Sequence, residues 1–398
     1  MNPQTRFDLS ACRHWRKSAA LGPARVGIIP AWNAVTVLNP AAADIWDLLI
    51  ETGDLGSAAS RYAQLWPERA DMAPHDVAAC LGAWEKQGLL HAPPPSPEQQ
   101  KIRQSDGRTV VPEHRVSFRR TVSVAGQPVT LEIVDPTLSR AIEDLLADFP
   151  NAAAASAPTL RATGPSGGWY LTLDGTPIRL AASFLEARGQ IVAELIRLAG
   201  GDTGWLATAH GAVLTGPSGP VFLAGSSGAG KSTLSAGLVA LGWEILAEDC
   251  AAFDARLNVS PLPFALSIKD GAVGALTEAF PDLASARVHE LGQRRVRYQR
   301  VPEQGRASRP QRPDLILDVG YTPGMDPGDV RLDPLSPLET LGLFMNEESY
   351  IDFEHRSAQD FLDFVERTPA YAISYESIPA AEKAIRAQLD WHRREGGR

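Results

Sequence analysis

Apolar and polar residues alternate in short blocks along the chain, and the first clear pattern lies between residues 25 and 91. Two apolar runs, Arg25–Ile29 and Ala34–Leu38, are separated by Pro30 and predict a β-hairpin. Three helical patterns follow, bounded by Asn39-Pro40 and Gly53, by Ser57 and Trp66, and by Pro74 and Gly88. Two strands and three helices within about 70 residues predict a small, winged-helix-like α+β domain.

Beyond residue 114 the pattern alternates between strands and helices. Strands are predicted at Val116–Val124, Val129–Val134, Trp169–Leu173, His210–Leu214, Val221–Ala224, Glu244–Ala247 and Asp314–Val319. Helices are predicted at Leu138–Phe149, Ala182–Gly200, Lys231–Leu241, Ser357–Arg367 and Ile378–Arg393. The small residues of Ala152–Gly168 predict a loop. A strand, a glycine-rich loop, a helix and a further strand in this order predict an α/β core.

Length and composition divide the chain into domains. The 398 residues exceed the roughly 250–300 at which a single core usually stops growing. Ala92–Thr109 is rich in proline and polar residues and is typical of a linker. We therefore expect an N-terminal domain at residues 1–91, a linker at 92–113 and a larger domain at 114–398.

Charge and cysteine content exclude several classes of function. The net charge is −9 and no dense run of Lys and Arg occurs, so no nucleic-acid partner is expected. Cys12, Cys80 and Cys250 are scattered, which predicts a reducing compartment and no zinc site. No signal peptide and no apolar run of about 18 residues is found, so we expect a cytoplasmic protein that does not contact a membrane.

The chain contains one strong nucleotide-binding signature, Gly225-x4-Gly230-Lys231-Ser232, between an apolar strand and a helix. Backbone N–H groups and the helix dipole of such a loop hold a polyphosphate. Lys231 is expected to contact the β- and γ-phosphates, and the Ser232 hydroxyl is expected to bind Mg²⁺. ATP and Mg²⁺ are thus the predicted ligands. The predicted nucleotide-binding residues are Gly225, Ser226, Ser227, Gly228, Ala229, Gly230, Lys231, Ser232 and Thr233.

Two adjacent carboxylates, Glu248 and Asp249, follow the loop lysine after one helix and one strand. This spacing predicts that they emerge at the carboxyl end of the neighbouring strand, where α/β sheets bind ligands. One carboxylate can bind Mg²⁺ and the other can accept a proton from a substrate hydroxyl, and the spacing allows either division of roles. His210 precedes the loop and is expected to orient the base or to contact the nucleotide. The candidate catalytic residues from the pattern alone are His210, Lys231 and one of the two acids.

The segments HGAVL, GSSGAGKST and GWEILAEDC together resemble the catalytic domain of bacterial HPr serine kinase/phosphorylase and its relatives. The resemblance implies a P-loop kinase domain with Asp249 as the proton acceptor, which leaves Glu248 to bind Mg²⁺ with Ser232. The catalytic residues predicted on this basis are Asp249, His210 and Lys231. Thr233 stands where that family commonly has Glu, and Glu248 where it usually has Asp. Lys269 and Arg297 lie in segments similar to HPr-kinase-related proteins and are further candidates for phosphate contacts. Members of this family commonly form oligomers, so a homo-oligomer is among the expected assemblies.

The N-terminal segment AVTVLNPAAADIWDLL, followed by helices that end in KQGLL, resembles the PqqD family of peptide-recognition domains. The resemblance implies that residues 24–91 bind the leader of a ribosomally made precursor peptide. Such a leader adds to an exposed sheet edge as a further strand.

Three functions fit the sequence. The first is an ATP-dependent kinase that phosphorylates a hydroxyl, with serine as the preferred acceptor, of a precursor peptide whose leader the N-terminal domain binds. The second is a kinase for a small-molecule hydroxyl. The third is an ATP-regulated adaptor or DNA-binding protein, although the third helix of the N-terminal domain lacks a cluster of arginines.

Overall fold

The computed structural model describes residues 9–30, 33–90, 115–153, 156–164, 168–346 and 349–396. The predicted linker, Ala92–Thr109, lies outside these ranges. Within them the protein is a mixed α/β structure with several sheets. None of the helices in the described ranges has both the length and the apolar composition needed to cross a membrane.

The strands are numbered in chain order. They are β1 (Arg16–Leu21), β2 (Ala24–Ile29), β3 (Ala34–Leu38), β4 (Phe118–Val124), β5 (Gln127–Ile133), β6 (Thr159–Thr163), β7 (Trp169–Leu173), β8 (Thr176–Ala181), β9 (Ala207–Ala209), β10 (Ala212–Gly216), β11 (Gly219–Ala224), β12 (Glu244–Ala247), β13 (Ala251–Phe253), β14 (Leu266–Lys269), β15 (Val288–Leu291), β16 (Arg294–Gln299), β17 (Leu315–Tyr321), β18 (Val330–Pro334), β19 (Tyr350–Ile351) and β20 (Ala370–Tyr375).

The α-helices are numbered in the same way. They are α1 (Pro40–Thr52), α2 (Leu55–Leu65), α3 (Ala73–Lys86), α4 (Pro136–Leu145), α5 (Phe184–Ala199), α6 (Lys231–Ala240), α7 (Asp270–Leu276), α8 (Pro337–Leu343), α9 (Ala358–Arg367) and α10 (Ile378–Gly396).

The chain divides into two compact units. The smaller unit contains residues 9–90 together with Ser336–Met345 and Tyr350–Arg367. The larger unit contains the described residues between 115 and 335, residues 346 and 349, and residues 368–396. The sequence analysis had placed 336–345 and 350–367 in the C-terminal domain, whereas in the structure they group with the N-terminal residues.

The smaller unit is built around a tryptophan cluster. Its antiparallel sheet has the order β1-β2-β3, and the fully buried Trp46 of α1 lies against this sheet. The ring of Trp46 stacks on Trp15 at 3.8 Å and meets Trp84 edge-on at 5.2 Å. Its indole N–H donates to the Arg16 carbonyl at 2.8 Å, so the single polar atom of the side chain is satisfied. Gly27 of β2 leaves room for the ring, since a Cβ there would lie 2.8 Å from Trp46.

Helices α8 and α9 complete the smaller unit. Phe344 packs edge-on against Phe361 at 5.3 Å, and both rings are fully buried. The helix α9 contacts β1. Ser336 caps α8 through a reciprocal pair of hydrogen bonds with Glu339, which fixes the start of the helix.

The larger unit contains a six-stranded mixed sheet in the order β12-β10-β11-β17-β20-β18. The strands β11, β17 and β20 are parallel neighbours, whereas β10 and β18 run antiparallel to the strands they pair with. All six residues of β11 are buried, as expected for a central strand of an α/β sheet. The helices α6 and α10 pack on this sheet and against each other.

Two further sheets complete the larger unit. One has five strands in the order β4-β5-β6-β7-β8, and α5 packs on it. The other has three strands in the order β14-β16-β15. The short strands β9 and β13 form an antiparallel pair beside the main sheet.

The structure corrects several element predictions. Residues 152–168 were expected to form a loop, but they contain β6, whose alternating Leu160 and Ala162 are buried. In the described residues, the N-terminal domain has three strands, and the sequence predicted two. The strand β1 was not predicted because its exposed polar positions weaken the apolar pattern. The strand predicted at His210–Leu214 is interrupted, and His210 lies between β9 and β10. Helices α1, α2 and α3 agree with the prediction within about two residues at each end.

We expect Trp46→Ala to destabilise the smaller unit by about 3–5 kcal/mol, because it removes a large buried ring from a packed cluster. Hydrogen exchange should show faster exchange at the amides of β1–β3 and α1–α3, with β10–β12 and β17 unchanged. The control is Trp391→Ala, at a half-exposed indole on α10. Equal effects of the two substitutions would contradict the core role of Trp46.

Candidate functional site

The glycine-rich loop, residues 225–233, joins β11 to α6. The chain leaves the sheet after Ala224, the last residue of β11, and α6 begins at Lys231 with Gly230 as its N-cap. The N-terminal N–H groups of α6 and the positive end of its dipole therefore lie at the loop. This is the strand, loop and helix order that the sequence predicted.

Three glycines give the loop its shape. Gly225, Gly228 and Gly230 have φ values of 139°, 93° and 102°, all in the region that favours glycine. A Cβ at Gly225 would lie 3.0 Å from the Val319 carbonyl oxygen, and one at Gly230 would lie 3.0 Å from the Cβ of Tyr321. The loop backbone therefore lies directly against the end of β17.

The loop lysine is held by the loop itself. Lys231 Nζ donates to the Gly225 carbonyl at 2.6 Å and contacts the Ser226 carbonyl at 3.3 Å. The ammonium group thus lies over the turn of the loop, where the backbone amide of Ala229 also donates to Ser226 at 3.2 Å. A phosphate group bound by the loop would be within the reach of this charge.

The acidic pair follows β12, and its position corrects one prediction. The acids were expected at the end of the strand next to β11, but β10 lies between β11 and β12. Because β10 is antiparallel to both, β11 and β12 run in the same direction. Their carboxyl ends therefore share one edge of the sheet, and the acids still emerge on the side of the glycine-rich loop.

Glu248 is buried beneath the loop. The residue is only 2% exposed. Burial, together with the charge of Asp249, raises the pKa of its carboxyl to about 7. Three neighbours lower this pKa in part. They are the Ser232 hydroxyl and the Ser267 N–H, which donate hydrogen bonds, and the charge of Lys231. Within the described residues, Glu248 Oε2 has no hydrogen-bond partner.

Asp249 is the exposed member of the pair. Its side chain is half exposed, and its φ of 67° is unusual for a residue other than glycine. The Gly211 N–H donates to its carbonyl at 3.3 Å. His210 Nδ1 lies 3.5 Å from Asp249 Oδ1, and the His210 N–H donates to the Ser349 hydroxyl at 2.9 Å. A backbone cost of about 1–3 kcal/mol for such a conformation is often found at functional sites.

A single cavity of about 320 Å³ brings most of the predicted site residues together. Its lining includes His210, Asp249, Lys269 and most of the glycine-rich loop, Lys231 and Ser232 among them. Gly225, Ala229 and Glu248 are not among the lining residues, and Glu248 lines a second, small pocket together with Asp249. Arg297, the other candidate for phosphate contact, forms an ion pair with Asp270 and is not part of the lining.

The structure adds residues that the sequence analysis missed. Arg188 of α5 and Arg294 of β16 line the same cavity as the loop, and Arg188 Nε donates to the Tyr298 hydroxyl at 2.7 Å. No local sequence signal distinguishes these arginines from other surface cations. Asp318 of β17 pairs in register with Ala224, and burial raises its pKa while Lys231 lowers it. The sequence does contain a signal for Asp318, because this acid directly follows the apolar run Leu315–Leu317 of a predicted strand.

The donor set fits Mg²⁺. Ser232 and Glu248 offer a hydroxyl and a carboxylate, the hard oxygen ligands that Mg²⁺ prefers. The buried Glu248 Oε2 without a hydrogen-bond partner is the kind of atom that a cation would satisfy. No group of three or more His, Cys, Asp and Glu side chains suited to a metal occurs in the described ranges. Mg²⁺ needs few protein ligands, because it usually retains several waters and binds substrate phosphates.

Comparison of the chain with protein-family models and with curated proteins found no match. The functional assignment therefore rests on the geometry of the cavity and on the quoted sequence signatures.

We expect the ionisation of Glu248 to lower the stability of the metal-free protein as pH rises. The folded pKa of about 7 exceeds the ordinary value of 4.5, so the folded state holds a proton between these values that the unfolded state has lost. The free energy of unfolding therefore falls as pH rises through this window. In Glu248→Gln this decline should be absent, a difference of about 3 kcal/mol between pH 4 and pH 8.

Urea unfolding at both pH values in the presence of EDTA measures this effect. The control is Glu303→Gln, at an exposed glutamate of the same unit. A pH dependence in Glu248→Gln equal to that of the unsubstituted protein would contradict the assignment.

Proposed function

We propose that the protein is an ATP-dependent kinase that phosphorylates a hydroxyl of a ribosomally made precursor peptide, with serine as the preferred acceptor. In this proposal the larger unit is a P-loop kinase domain of the HPr kinase type. The smaller unit is a winged-helix-like peptide-recognition domain of the PqqD type. The observation that carries the proposal is the shared cavity, which the glycine-rich loop, Asp249 and His210 line together.

The glycine-rich loop would bind the phosphates of ATP. Backbone N–H groups of the loop and the N-terminus of α6 supply donors and positive potential. Lys231 would exchange its bonds to the Gly225 and Ser226 carbonyls for bonds to the β- and γ-phosphate oxygens. Ser232 and Glu248 would hold Mg²⁺, which neutralises charge on the phosphates when it is bound.

Asp249 would act as the base. Its carboxylate accepts the proton of the acceptor hydroxyl while the hydroxyl oxygen forms a bond to the γ-phosphorus. The bond between the γ-phosphorus and the oxygen bridging to the β-phosphate breaks, and ADP leaves with that electron pair. Half exposure gives Asp249 access to a substrate in the cavity, and His210 at 3.5 Å would orient its carboxylate.

The smaller unit offers a sheet edge for the leader peptide. In the order β1-β2-β3, strand β3 pairs with β2 on one side, and none of the other described strands pairs with it on the other side. Val37 of β3 is 55% exposed. The opposite edge strand, β1, contacts α9. We therefore assign the outer edge of β3 as the place where a leader would add as a strand.

A kinase requires Asp249 for turnover, whereas an ATP-regulated adaptor requires only nucleotide binding. We expect Asp249→Asn to lower kcat about 10²- to 10⁴-fold, because it removes the proton acceptor, with the Kd for MgATP changed less than about threefold. Mass spectrometry of a synthetic serine-containing candidate precursor peptide incubated with the protein and MgATP measures transfer, and calorimetry measures nucleotide binding. The matched control is Asp390→Asn, at an exposed position of α10.

Retained turnover in Asp249→Asn would overturn the assigned base. Turnover of small alcohols but not of the peptide by the unsubstituted protein would favour a small-molecule kinase.

The role of β3 has its own test, which leaves the chain intact. A charge on an edge strand opposes pairing with a further strand. We expect Val37→Lys to raise the KM for the precursor at least tenfold and to leave kcat within about twofold. Activity towards a leaderless peptide should not change. The matched control is Leu65→Lys, at a 59% exposed position on α2. Equal behaviour of the two variants would argue against capture at β3.

A further inference from the structure

The cavity has no Phe, Tyr or Trp ring among its described lining residues on which the nucleobase of ATP could stack. Its lining provides hydroxyl groups, cations, an acid, aliphatic side chains and the imidazole of His210. The His210 ring lies 3.5 Å from the Asp249 carboxylate, which we assign to the acceptor end of the cavity. These lining groups suit phosphates and an acceptor hydroxyl. A purine presents a flat apolar face, and proteins commonly bind such a face by stacking an aromatic ring on it. A base-binding surface is therefore to be sought beside the glycine-rich loop and outside the cavity lining.

The order of the strands indicates on which side this surface lies. ATP is an extended molecule, and its reacting phosphate must face Asp249 at the end of β12. In the sheet, β12 and β10 lie on one side of β11, whereas β17 and β20 lie on the other. A nucleotide whose phosphates occupy the loop after β11 thus directs its other end towards the carboxyl ends of β17 and β20.

Tyr321, the last residue of β17, lies at this place. Its N–H donates to the Ala229 carbonyl at 2.9 Å, and its Cβ is 3.0 Å from the position that a Cβ of Gly230 would occupy. The side chain is nevertheless 49% exposed. Tyr350 and Trp391 are equally exposed, but neither has a hydrogen bond to the loop among those found in the described residues.

The surroundings of Tyr321 hold the ring in place. Its ring meets that of Tyr375, the last residue of β20, at 6.0 Å and 68°, and Tyr375 is 1% exposed. The next residue, Thr322, donates from its N–H to the Tyr375 carbonyl at 2.8 Å. The Gly324 N–H donates to the Glu376 carboxylate at 3.2 Å. A half-exposed ring that already contacts a buried ring loses little freedom when a ligand stacks on its exposed surface.

We infer that Tyr321 is the stacking platform for the nucleobase of the nucleotide that the glycine-rich loop binds. The inference rests on the proposed function, since it presupposes that the loop binds ATP, and it adds a base-binding site beyond the cavity. Tyr321 then contributes to affinity through the purine ring alone, and the loop and Lys231 contribute through the phosphates.

Comparison of two ligands separates these contributions. Calorimetry measures the Kd for MgATP and for magnesium tripolyphosphate, which has the phosphates and no base. In Tyr321→Ala we expect the Kd for MgATP to rise about 5- to 150-fold, with the Kd for tripolyphosphate changed less than twofold. Tyr321→Phe keeps the ring and should bind MgATP like the unsubstituted protein. Tyr350→Ala is the control for loss of an equally exposed tyrosine.

Each other outcome overturns the inference. An unchanged Kd for MgATP in Tyr321→Ala would place the base elsewhere while leaving the kinase proposal intact. An equal rise for both ligands, or a loss of MgATP affinity in Tyr321→Phe, would show that the residue acts on the loop or through its hydroxyl and not by stacking. Failure of the unsubstituted protein to bind either ligand would overturn the proposed nucleotide site and this inference together.

Discussion

The close approach of the glycine-rich loop to the end of β17 is the constraint on which the candidate site depends. Gly225 and Gly230 each adopt a positive φ, and a Cβ at either position would press on β17. The parallel pairing of β11 with β17 sets this distance. Because the loop has one allowed path, the start of α6, the ammonium group of Lys231 and the hydroxyl of Ser232 all take their positions from it.

A second consequence of the sheet concerns charge. The antiparallel strand β10 separates β11 from β12, yet leaves their carboxyl ends on a common edge. Glu248 is thereby buried and Asp249 exposed, although they are neighbours in sequence. Burial and the adjacent charge raise the pKa of the first carboxyl to about 7. Two carboxyl groups that are neighbours in sequence thus have different environments, one buried and one open to the cavity.

Sequence patterns predicted the local parts of this arrangement. The loop glycines, the start of α6 and strand β12 depend on residues close together in the chain, where periodicity and glycine spacing are informative. Arg188, Asp318 and Tyr321 reach the same region through strand pairing and packing between distant segments, which one sequence does not reveal. The strand β1 was missed because its exposed polar positions weaken the apolar pattern. A strand was predicted near β10, but its place between β11 and β12 depends on pairing between distant segments.

The chain returns to the smaller unit twice after the strand β18 of the larger sheet, at Ser336–Met345 and Tyr350–Arg367, before it forms β20. A gene fragment that ends near residue 90 would therefore lack α8 and α9 and the contact between α9 and β1. Each unit is made of separate segments of the chain, so a single recombination event in the gene could not exchange a complete unit. We therefore expect the two units to be inherited together. Selection on a mutation in one unit would then depend on the sequence of the other.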